Sequence, residues 1–96
     1  IDDEYKYFTY INITVISNQY NLLDNAHIII KYENDTVIQP LEVKINEPQI
    51  KPNLKYENTI SGIFNINHII NEKANIILVY KNGKESFFNV NFANIR

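Results

Sequence analysis

Apolar residues recur at every second position through most of this chain. That is the period of a β-strand with one buried face and not the 3.6-residue period of a helix. From Tyr5 to Val15 the odd positions read Tyr5, Tyr7, Thr9, Ile11, Ile13 and Val15, with Lys6, Asn12 and Thr14 between them. This pattern predicts a long first strand whose odd side chains enter a core. After the turn-forming run Ser17-Asn18-Gln19-Tyr20-Asn21, a second strand is expected over 26–32. Its even residues Ala26, Ile28, Ile30 and Tyr32 point one way, and His27 and Lys31 the other. Glu33-Asn34-Asp35-Thr36 reads as a hairpin turn, and Val37 to Ile45 as the return strand, with Val37, Leu41, Val43 and Ile45 on one face. Pro40 cannot donate to a ladder, so an edge or a bulge is expected there.

Pro48 and Pro52 hold the next stretch extended, which predicts a loop crossing from one sheet to another. Ile60, Gly62, Phe64 and Ile66 mark the apolar face of a further strand, and Asn71-Glu72-Lys73 a corner. The last third reads as a hairpin around Asn82-Gly83, the dipeptide favoured in type I′ turns. With that turn, Lys81 faces Lys84 and Leu78 faces Phe87. Ile77, Val79 and Phe88 then share one side, and Ile76, Leu78, Tyr80 and Phe87 the other. Both sides are apolar, so one is expected to be core and the second either covered by another segment or exposed as a contact patch. Helix is confined in this reading to single turns within 18–25 and 68–73. About seven short strands in a chain of this length predict an all-β fold: an antiparallel two-sheet sandwich of immunoglobulin-like type, one domain spanning 1–96.

Composition narrows the function. With nine Lys+Arg against eleven Asp+Glu, the chain lacks the basic excess that supplies non-specific nucleic-acid affinity. It contains no cysteine, hence no disulfide, thiolate metal site or thiol nucleophile, and no apolar run of the roughly 18 residues a membrane helix needs. A catalytic set would have to be drawn from His27, His68, Ser17, Ser61 and Ser86, and two glycines leave no phosphate-cradling loop or nucleophile elbow. A non-enzymatic role without cofactor follows as the expectation. Asp2-Asp3-Glu4, with Asp24 and Asp35 elsewhere, is the sole acidic cluster and reads as a solvated terminus rather than a metal site. Asn12-Ile13-Thr14 and Asn34-Asp35-Thr36 match the glycosylation acceptor pattern, the second in a turn. A start at Ile1 without Met predicts a piece processed or excised from a longer chain.

The run Ser61-Gly62-Ile63-Phe64-Asn65-Ile66, then Ile69 and Ile70, then Ala74-Asn75-Ile76-Ile77-Leu78-Val79-Tyr80 and Asn82-Gly83, resembles the second half of Ig-like modules of microbial surface proteins. It departs from their pattern at the corner, where Asn71 to Lys73 stand in place of a glycine. The resemblance implies a non-catalytic, extracytoplasmic module for adhesion, spacing or envelope assembly. Its partner is expected to be a protein or a second copy of the chain, met through sheet edges and the Ile76, Leu78, Tyr80, Phe87 face. Two other readings compete. Phe8 and Tyr10, on the strand face opposite Ile11 and Ile13, with loop asparagines, would suit a glycan. A cytoplasmic adaptor docking peptides by strand addition would suit the same fold.

Overall fold

A computed structural model of the protein describes residues 8–65 and 73–91. Every regular element among them is a strand: β1 (Phe8–Ser17), β2 (His27–Tyr32), β3 (Val37–Ile38), β4 (Glu42–Ile45), β5 (Gln49–Ile50), β6 (Tyr56–Asn65), β7 (Lys73–Val79) and β8 (Glu85–Asn91). They form two antiparallel sheets. In the first, β6 is central, with β1 on one side and β4 then β5 on the other. The second runs β3-β2-β7-β8. The expected positions Tyr5, Tyr7, Ile66, His68 and the corner residues 71–72 lie outside the described residues.

The sheets pack face to face because alternation gives each an apolar side. Ile60 and Phe64 of β6 meet Ile28, Ile30, Ile76 and Leu78 of β2 and β7, and Leu23 enters from the segment before β2. Leu23, Ile28, Ile30, Ile60, Phe64 and Leu78 are fully buried, each adding about 1.5–3 kcal/mol relative to exposure. Gly62 belongs to this layer: a Cβ there would stand 3.0 Å from Phe64 Cε1. Asn58 is the buried polar residue of the layer, and its Nδ2 donates to the Gln19 carbonyl at 3.4 Å, tying the β1–β2 connection to β6. That connection is held by turns and contains no helix.

The expected return strand 37–45 is two strands in different sheets. Val37–Ile38 pairs with β2, whereas Glu42–Ile45 pairs with β6. The switch falls at Gln39-Pro40-Leu41, where Pro40 has no N–H to continue a ladder. The Pro48 region, expected to make that crossing, instead connects β4 to β5 along one edge of β6.

One loop geometry occurs three times. The Tyr32 N–H donates to Thr36 O and Asp35 N–H to Tyr32 O; Lys51 pairs in the same way with Lys55 and Leu54, and Tyr80 with Lys84 and Gly83. Each loop has an asparagine, Asn34, Asn53 or Asn82, whose Oδ1 accepts the N–H two residues on. The residue after it adopts positive φ: Asp35 at 71°, Leu54 at 65° and Gly83 at 88°. These are three-residue hairpin loops closed by a left-handed residue. Type I′ needs positive φ at both central residues, and Asn82 does not have it.

The longer loop shifts the final hairpin by one residue from expectation. Val79 stands opposite Glu85, Leu78 opposite Ser86, Ile77 opposite Phe87 and Ile76 opposite Phe88. Phe87 therefore leaves the face of Ile76, Leu78 and Tyr80 and joins that of Ile77 and Val79.

Candidate contact surface

Opposed residues of an antiparallel pair share a face, so the register assigns every side chain of the second sheet. Ile28, Leu78 and Ser86 form one inward row, Ile38, Ile30, Ile76 and Phe88 a second, and Tyr32, Ala74 and Val90 a third. The expected contact face is thus mainly core. Ile76 and Leu78 are buried, Tyr80 packs against them, and the Tyr80 hydroxyl is 3.2 Å from Ser86 Oγ.

The outward rows of this sheet read His27, Val79, Glu85; then Ile29, Ile77, Phe87; then Val37, Lys31, Asn75, Asn89. The middle row is apolar across three strands. Ile77 is only 4 % exposed although it points away from the inward rows, and Ile29 and Phe87 stand directly opposite it on either side. Phe87 closes the row and is 56 % exposed. Below it a shallow cleft of about 720 Å³ runs past Asn75, Asn89, Lys31 and Lys73. Lys31 Nζ lies 3.7 Å from Asp35 Oδ1, an exposed pair that adds little stability.

The outer face of the first sheet is different. Its rows are Tyr10, Ile63, Glu42; Asn12, Ser61, Lys44; Thr14, Thr59; and Ile16, Glu57, Gln49. Ser61 Oγ donates to Asn12 Oδ1, and Thr14 and Thr59 hydroxyls lie 2.9 Å apart. Phe8 and Tyr10 are on this outer face, opposite to Ile11 and Ile13 as expected, with Tyr10 71 % exposed. The structure consequently separates the anticipated site residues into three groups: Ile76, Leu78 and Tyr80 inside, Phe87 outside the second sheet, Phe8 and Tyr10 outside the first.

Sequence reasoning missed Ile29 and Val37 as companions of Phe87, since both depend on the corrected register and on the sheet switch. His27 is exposed on its strand, and Asp2 to Glu4 and His68 lie outside the described residues. Among the described residues no group of three or more His, Asp or Glu converges to hold a metal ion. Both acceptor asparagines, Asn12 and Asn34, are exposed. Comparison with known proteins finds no matching family model, curated protein or solved structure.

Proposed function

We propose that this chain is an immunoglobulin-like module that acts by surface contact, without catalysis, in a surface or secreted protein. The strand order supports the fold assignment. Taking β1 as strand B of such a fold, β6 and β4 fall where E and D belong, and β3, β2, β7 and β8 where C′, C, F and G belong. Strand A of such a fold would lie along β1 and has no counterpart among the described residues, so the edge of β1 is where the described strands depart from that fold.

The observation that carries the functional reading is the contrast between the two outer faces. The first sheet presents mostly hydroxyls, amides and charges, whereas the second presents the row Ile29, Ile77, Phe87 with Val37 and Val79 beside it. An apolar row on the outward side of a sheet, exposed at Phe87 and bordered by Lys31, Asn75 and Asn89, has the anatomy of an interface: an apolar centre and a polar rim.

The test is binding of the labelled 96-residue chain to the surface fraction of the source cells, with an immunoblot locating the protein. A saturable signal is expected, weakened at least about tenfold by Phe87→Ser, an exposed change that leaves the fold intact. Equal binding by the variant, or a native protein found only in cytosol, overturns the proposal.

A further inference from the structure

The free side of β1 carries a different recognition surface. Leu41 N–H donates to Ile63 O, and Asn46 N–H to Thr59 O, so the odd residues of β6 direct their backbone groups toward β4. Even residues of β6 therefore face β1, and their partners there are Thr9, Ile11, Ile13 and Val15. It follows that Tyr10, Asn12, Thr14 and Ile16 point their N–H and C=O groups away from the sheet. No described strand pairs with them.

Nothing along this edge discourages a second strand. From Phe8 to Ser17 there is no charged residue, proline or glycine, and the strand runs ten residues without a bulge. Edge strands normally carry one or more of those devices.

The side chains specify which strand would fit. Reading outward from Ile13 in both directions, Asn12 and Thr14 are polar, Ile11 and Val15 aliphatic, and Tyr10 and Ile16 large and exposed, at 71 % and 53 %. The segment is a palindrome in chemical type, and an antiparallel pair of identical strands imposes that symmetry.

We propose that two copies of this chain pair antiparallel through β1 about a two-fold axis at Ile13. In this register Asn12 meets Thr14 of the other copy, and Tyr10 meets Ile16. On the inner face Ile11 meets Val15, and the two Ile13 side chains meet each other. All four outward-pointing residues of each copy gain ladder partners. Tyr10 opposite Ile16 is an aromatic–β-branched pair of the kind that stabilises antiparallel sheets. The first sheets of the two copies become one continuous sheet, while the apolar row at Phe87, on the other sheet, stays open.

Sedimentation equilibrium of the 96-residue chain, with amide hydrogen exchange at low and high concentration, tests the proposal. A dimer is expected, in which the amides of Tyr10, Asn12, Thr14 and Ile16 gain protection as dimer forms while those of Ile11, Ile13 and Val15 are protected throughout. The double variant Asn12→Lys/Thr14→Lys places like charges opposite each other and should raise the dissociation midpoint at least about tenfold. Asn12→Lys/Thr14→Glu removes the same two hydroxyl and amide contacts with β6 yet sets opposite charges across the axis, and should remain dimeric. A monomer throughout the micromolar range overturns the proposal. So does a dimer whose even-numbered β1 amides stay unprotected, or equal behaviour of the two double variants.

Discussion

The two sides of the first sheet end differently, although both are built on β6. On one side β1 runs ten residues in unbroken register and exposes an uncharged edge. On the other, β4 and β5 have four and two residues, are parted by Asn46-Glu47-Pro48, and bring Glu42 and Lys44 to the rim. An approaching strand would meet a continuous ladder on the first side and an interrupted, charged one on the second. The contrast teaches that edge protection here is selective. Among the described residues the sheet is interrupted and charged at β4–β5 and unprotected at β1, so the pairing proposed above would close as a pair rather than extend as a filament.

The largest perturbation is expected at Gly62, which pairs with Ile11 on one side and Val43 on the other. Gly62→Val drives side-chain atoms toward the fully buried Phe64 ring and the Ile28 side chain, and should lower stability by about 2–3 kcal/mol. Urea denaturation reads this directly, and an unchanged midpoint would show that Phe64 repacks. Next, Glu42→Thr with Lys44→Val removes the charges from the protected rim. The concentration at which species larger than a dimer form should fall at least about tenfold, equivalent to about 1.4 kcal/mol, by light scattering. No change would assign the protection to the Pro48 interruption alone. The smallest effect is expected from Leu54→Gly in the loop joining β5 to β6. Leu54 is 82 % exposed and held at φ 65°, a conformation that costs a branched side chain about 1–2 kcal/mol. Glycine relieves that cost but loses more backbone entropy, for a net gain of about 0.5 kcal/mol in thermal denaturation. A loss instead would indicate that Leu54 has contacts that outweigh its strain.

The fold was legible wherever one strand face is buried and the other wet. The alternation in β1, β2 and β6 locates each strand to within a few residues, because a one-residue slip would expose the whole apolar set. It misled at 37–45. There Ile38 faces inward in one sheet and Val43 and Ile45 face inward in the other, so the phase changes at Pro40 inside what reads as one alternating run. The final hairpin failed for a local reason. Asn82-Gly83 signals a tight turn, but the Asn82 side chain caps the Lys84 N–H and includes Lys81 in the loop. The asparagine, shared by all three loops, is the informative residue; the glycine occurs in only one. That single-residue difference parts Phe87 from Ile76, Leu78 and Tyr80, whose face proves to be core, and so divides the candidate site. The palindrome in β1 was present in the sequence throughout. It acquires meaning only once the pairing with β6 shows which backbone groups point outward.

The pairing of β1 with β6 also sets an order in time. Thr14 and Thr59 are 45 positions apart, and Asn12 and Ser61 49. At translation rates of about 5–20 residues per second, β1 leaves the ribosome several seconds before its neighbour exists. In that interval neither of its edges is covered, and it carries no charge to hold other nascent chains away. On the pairing proposed above, that interval is when chains made side by side on one message would first meet.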